Sequence, residues 1–183
     1  LLDALKSVGY RASWEKINEL VRLFQQAHLI GLLPEYSTSL APKTTTTDKV
    51  YAVDQGMAYA TSRANQQDLG KRLETAIYAE LMRRTANGRL ETVTSFTAPT
   101  QAREKVDFLV GDALASEPYA LYQVIVDMTA EKTRRREVGS LEVAMAKTGI
   151  KDANIITLRE ATQIETEHGV IEVIPAWKWS LGL

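Results

Sequence analysis

The chain has 183 residues, 45% of them hydrophobic and 25% charged, with a formal net charge of −1, which suits one medium domain or two small ones sharing a core. So balanced a charge excludes a surface that binds polyanions everywhere, and any nucleic-acid contact must come from a local patch. The absence of cysteine excludes disulfide frameworks, thiolate zinc sites and cysteine nucleophiles, and it fits a cytoplasmic location.

No apolar run is long enough to cross a bilayer, and no signal-peptide pattern opens the chain. The sequence begins at Leu1 inside a helical pattern (Leu1, Leu2, Leu5), which predicts a fragment with a further segment upstream. From Ser13 to about Leu29, Trp14, Ile17, Val21, Phe24 and His28 fall at helical spacing, with Leu20 and Leu23 beside them. Ser13 suits the N-cap, Glu15 sits favourably in the first turn, and Gly31 is the expected stop. "LLPEYSTSL" and "KVYAVD" then read as short strands flanking the polar loop "APKTTTTD". A helix followed by such a hairpin is the end of a winged-helix motif, so residues 1–62 are expected to form a small winged-helix-like segment.

After the polar joint "SRANQQDLG", a long helix is predicted from about Asp68 to Thr85, with Leu73, Ile77 and Leu81 on its buried face. Strands follow around Leu90–Phe96, Lys105–Val110 and Tyr119–Val126, the last two joined by "GDALASEP". A second long helix runs from Ala130 to Lys147 and ends at Gly149, and "NIITL" and "GVIEVIP" are two more buried strands. The tail "AWKWSLGL" should pack back, with Trp177 and Trp179 alternating as packing anchors. This order predicts an α/β sandwich with a mixed sheet over residues 63–183.

Two strands carry polar groups that look out of place: Asp107 within Val106–Val110 and Gln123 within Leu121–Val126. Burying such groups is costly unless they are bonded or used. A hard divalent cation such as Mg²⁺ needs oxygens converging from different elements, and Glu74 on the first long helix, Asp107 and Gln123 are candidates to converge. Glu74 and Asp107 are then the metal-ligand candidates, with Gln123 a weaker third. The bland readings stand beside these: Glu74 as a solvated helix residue near Arg72 or Tyr78, Asp107 bonded to Lys105 or a backbone amide, and Gln123 as an amide satisfying neighbouring strands. His28 and His168 lie far apart in sequence, which argues against a histidine metal cluster.

"KVYAVDQGMAYATS", "DLGKRLETAIYAELMRR", "KVDFLV", "LYQVIVDMTAEKTRRREVGSLEVAM", "NIITL" and "IEVIPAWKWSL" together resemble the C-terminal nuclease-like domain, of unknown function, found in a large group of prokaryotic P-loop, AAA-type ATPases. The resemblance covers Lys49 to Leu183, and the earlier residues resemble the winged-helix segment that precedes that domain. It implies a restriction-endonuclease-like, PD-(D/E)XK fold, a catalytic set of Glu74, Asp107 and Gln123, and an upstream ATPase module that binds ATP. No G-x-x-x-x-G-K-[ST] loop exists in this sequence.

The chain departs from the nuclease pattern. The position of the catalytic lysine holds Ile125, which can neither stabilise negative charge nor orient water, and Gln123 is neutral. Lys105 stands where relatives usually carry glutamate, and a cation from the next helix, among Lys132, Arg134, Arg135 and Arg136, could replace the lysine. Three arginines at a helix start oppose the macrodipole, so they should answer to Glu131, Glu137 or a phosphate backbone. Three functions are thus expected: a DNA-binding or interaction module with a degraded nuclease site, a working Mg²⁺-dependent endonuclease with a relocated basic residue, or a structural, oligomer-forming domain.

Overall fold

The computed structural model describes residues 2–37, 48–61, 68–86, 92–112 and 117–182. The loop "APKTTTTD" and the joint "SRANQQDLG" fall largely, and the turn "GDALASEP" by half, outside them. Helices α1 (Leu2–Ser7) and α2 (Trp14–Gln26) lead into a hairpin of β1 (Ile30–Leu33) and β2 (Lys49–Ala52), then α3 (Gln55–Thr61) and the long α4 (Leu69–Ala86). Strands β3 (Thr92–Thr97), β4 (Lys105–Asp112) and β5 (Glu117–Val124) precede α5 (Glu131–Thr148). The chain closes with β6 (Asp152–Thr157), β7 (Thr162–Thr166), β8 (Gly169–Pro175) and α6 (Ala176–Leu181).

The caps follow from side-chain chemistry. Ser13 Oγ accepts from the Lys16 amide and Asp68 Oδ1 from the Lys71 amide, so each satisfies a donor that its helix leaves open. Helix α2 ends at Gln26, and His28, just beyond its C-cap Ala27, has φ 54°, in the left-handed region. Gly31, the expected stop, lies inside β1 instead. Gly149 ends α5 with φ 79°.

Six strands form one mixed sheet in the order β3-β4-β5-β6-β8-β7. The β3-β4-β5 meander is antiparallel, β5-β6 and β6-β8 are parallel, and β7 pairs antiparallel at the edge. The α/β class with a mixed sheet is therefore as expected. Alternation along the strands loads both faces. Val106, Leu109, Leu121 and Ile125 pack with Leu141, Ala144 and Met145 of α5. On the opposite face, Phe108, Val110 and Val124 pack with Leu73, Ile77 and Leu81 of α4.

The hairpin does not stand off as a wing. Leu33 and Tyr51 are buried in the same core as α4, and the chain beyond β1 runs along the edge of β3. There the Tyr36 amide donates to the Ser95 carbonyl at 2.7 Å and the Ser95 amide to the Pro34 carbonyl at 2.8 Å. Residues before position 62 thus complete the core of those after it. The hairpin seats closely because Gly31 lacks a side chain: a Cβ there would lie 2.1 Å from the Tyr78 hydroxyl. Tyr78 cannot retreat easily, since its ring stacks on Tyr51 with centroids 4.2 Å apart. Gly31→Ala is expected to cost about 1–2 kcal/mol by overpacking, read as a lower thermal midpoint with unchanged circular dichroism.

The C-terminal tail is helical, not extended. Only Trp179 is an anchor: it is buried, packs edge-on to Tyr122 and lies under the Arg84 guanidinium at 4.0 Å, whereas Trp177 is exposed.

Candidate functional site

The site is built where β4 departs from regular alternation. Opposite β3, Leu109 pairs with Thr94 and Val106 with Phe96, so β4 uses three steps where β3 uses two. This bulge at Asp107 and Phe108 turns both side chains to the α4 face, while Val106 and Leu109 face α5. A half-buried carboxylate is thereby aimed at Glu74.

A lysine lies between them. Lys49 Nζ, from β2, is 2.8 Å from Asp107 Oδ1 and 3.0 Å from Glu74 Oε1. The Tyr51 hydroxyl donates to the same Glu74 oxygen at 2.6 Å, and the Val124 amide donates to Asp107 Oδ2 at 3.1 Å. Lys49 and Tyr51 share a face of β2 by period-two alternation, which brings both donors to α4 together. Phe108 forms the apolar wall, 6.0 Å from the ammonium.

Burial and then the Glu74 charge raise the Asp107 carboxyl to about 6, against the pull of Lys49 and the Val124 amide. Burial alone would lower the Lys49 pKa, but the charges of Asp107 and Glu74 and its hydrogen bonds to both hold it above the ordinary range. The Tyr51 phenol is pushed well up by burial first and then by Glu74. At neutral pH the Lys49 ammonium therefore faces an ionised Asp107, and the Tyr51 phenol stays protonated.

Of the three residues expected to converge, the structure brings together Glu74 and Asp107 but not Gln123. Gln123 lies on the α5 face, where Nε2 donates to the buried Glu137 Oε2 at 2.6 Å. Its Oε1 accepts from the Asp107 backbone amide at 3.2 Å. The bulge separates the two: with regular alternation, Asp107 and Gln123 would share one face as cross-strand neighbours. Gln123 thus fastens the bulge from behind. Ile125 is buried in the apolar core beside it.

The expected stand-in cations lie elsewhere. Arg136 pairs with Glu137, with Nε 2.9 Å from Oε1, and Arg135 pairs with Glu131 at 2.6 Å. Lys132 and Arg134 are exposed and have no carboxylate partner among the described residues. Lys105 is exposed as well, and the partner of Asp107 is Lys49. Lys49 carries little signal in the sequence beyond its two-residue spacing from Tyr51.

The donor set does not fit Mg²⁺. That ion demands near-octahedral oxygen coordination, and here two carboxylates are bridged by an ammonium while the third oxygen-bearing side chain is on the other face. Among the described residues no three acidic or histidine side chains gather as a metal site, and no helix is long and apolar enough to cross a membrane.

No family model matches the chain, and no solved structure matches it. It is similar to the uncharacterized protein MJ1544 of Methanocaldococcus jannaschii, 29% identical over 187 aligned positions. The match takes in 99% of this chain and 40% of that protein, so the chain spans less than half of its relative's length.

Proposed function

We propose that this chain is a restriction-endonuclease-like module, belonging to a P-loop ATPase, whose catalytic site has become a structural ion-pair cluster and which serves DNA binding or protein interaction. The observation that supports this reading is the Lys49 ammonium within 3.0 Å of both Glu74 and Asp107. A cation fixed by the fold neutralises the carboxylates that a nuclease would use for a metal. Gln123 directed at Glu137 and the buried Ile125 complete the conversion. Of the basic residues at the start of α5, Lys132 and Arg134 have no carboxylate partner among the described residues and would meet a phosphate backbone, through contacts that weaken steeply with added salt.

The test is plasmid nicking in Mg²⁺ and in Mn²⁺, with Asp107→Ala as the blank. Wild type is expected to cut no faster than the blank. Cutting above it, abolished by Lys49→Met, would assign Lys49 as the relocated basic residue of a working nuclease.

A further inference from the structure

The edge of β2 that has no strand partner among the described residues opens into a groove that adjoins the ion-pair cluster, with Lys49, Tyr51 and Glu74 on its lining. Strand β1 pairs along one edge of β2, and among the described residues no strand pairs along the other. The Val53 amide donates to the Leu29 carbonyl, so in this antiparallel ladder the pairs Gly31/Tyr51 and Leu33/Lys49 are the hydrogen-bonded ones. Val50 and Ala52 therefore direct their N–H and C=O groups away from β1. They face a cleft of about 470 Å³ walled by α3 and α4, with Gln55, Tyr59, Lys71 and Arg72 along its sides.

An alternating row of backbone donors and acceptors facing a helical wall is complementary to another extended backbone. The four residues of β2 give a run of about 13 Å, enough for a short strand. Charge narrows the occupant. The Arg72 guanidinium lies over the Tyr59 ring at 5.5 Å and has no carboxylate partner among the described residues. Lys71 reaches Asp68 only at 3.8 Å and is largely exposed. A guanidinium held near an aromatic ring by cation–π attraction keeps its N–H donors available to a carboxylate. Val50, 58% exposed, and Tyr59 supply apolar surface for the alternate side chains.

We propose that this groove binds an extended, acidic peptide segment of a partner protein, which adds to β2 as a third strand and sets a carboxylate against Arg72. The groove adjoins the ion-pair cluster, since Lys49, Tyr51 and Glu74 also line it. The groups that would hold the peptide, the outward backbone of Val50 and Ala52 and the Arg72 guanidinium, are not members of that cluster and do not depend on whether it is silent.

The test is fluorescence polarisation with a labelled peptide of alternating threonine and glutamate, measured on the whole chain. Val50→Pro removes an outward N–H while leaving the β1-β2 ladder intact, a change tolerated on an edge strand. Arg72→Ala removes the charge. Each is expected to weaken binding roughly tenfold or more, with thermal midpoints near wild type, and a threonine–lysine peptide should not bind. No binding of the acidic peptide to wild type, or equal binding by both variants, would overturn the proposal. So would an oligothymidylate strand that binds in the peptide's place and is lost with Val50→Pro, or a dimer of wild type that Val50→Pro dissociates. Those two results would give the edge to nucleic acid or to a second copy of this chain.

Discussion

Lys49→Met is expected to destabilise the fold by roughly 2–4 kcal/mol, seen as a lower urea midpoint with little change in slope. Removing one partner of a buried ion pair strands the other, which costs more than the pair itself contributes. Here two carboxylates are stranded at once, close enough to repel. The range is set somewhat below that of a fully buried pair because the Lys49 side chain is 33% exposed and solvent screens part of the interaction. The diagnostic result is a double mutant. Lys49→Met with Glu74→Gln should recover part of the loss, because a neutral amide at 74 no longer opposes Asp107. If Lys49→Met alone unfolds at the wild-type urea concentration, the ammonium is not what holds the two acids together.

A falling stability between about pH 4 and pH 6 is the second expected result. Asp107 has an ordinary value of 3.8 in the unfolded chain and about 6 in the folded one. In that window the folded state holds the extra proton, so this group's contribution is present at low pH and is lost as pH rises through 6. The size is on the order of 2–3 kcal/mol, and its sign is opposite to that of a surface carboxylate in an ion pair. Lys49 does not enter this window: its contribution is present below its ordinary value and is lost only in strong base. Urea midpoints measured at several pH values on wild type and Asp107→Asn would isolate the slope. A profile unchanged by Asp107→Asn would mean that Asp107 is ionised throughout.

The parts legible in the sequence were those whose local pattern and tertiary role agree. Leu73, Ile77 and Leu81 marked the buried face of α4, Asp68 its cap and Gly149 the end of α5, because periodicity and capping are local properties. Strand β7 carries no strand signal in its sequence, because its five residues are polar but for Ile164 and it lies at an edge. Helix α6 was hidden by two tryptophans at a spacing that reads as extended. At the site, Asp107 announced itself by being a carboxylate within an apolar strand. Its partner did not, because the lysine belongs to a hairpin 58 positions away. Gln123 was misplaced for a related reason: the bulge that turns Asp107 toward α4 is a matter of register between strands, and no residue in "KVDFLV" signals it.

The way the hairpin is seated also fixes an order of events during synthesis. Leu33 and Tyr51 leave the ribosome before the surface that covers them, which is made by α4, by strands that reach to Val124 and by Trp179. Contacts of such long sequence separation form late. The hairpin must therefore wait, with its apolar side chains open to chaperones or to other nascent chains, until the strands that cover it have emerged.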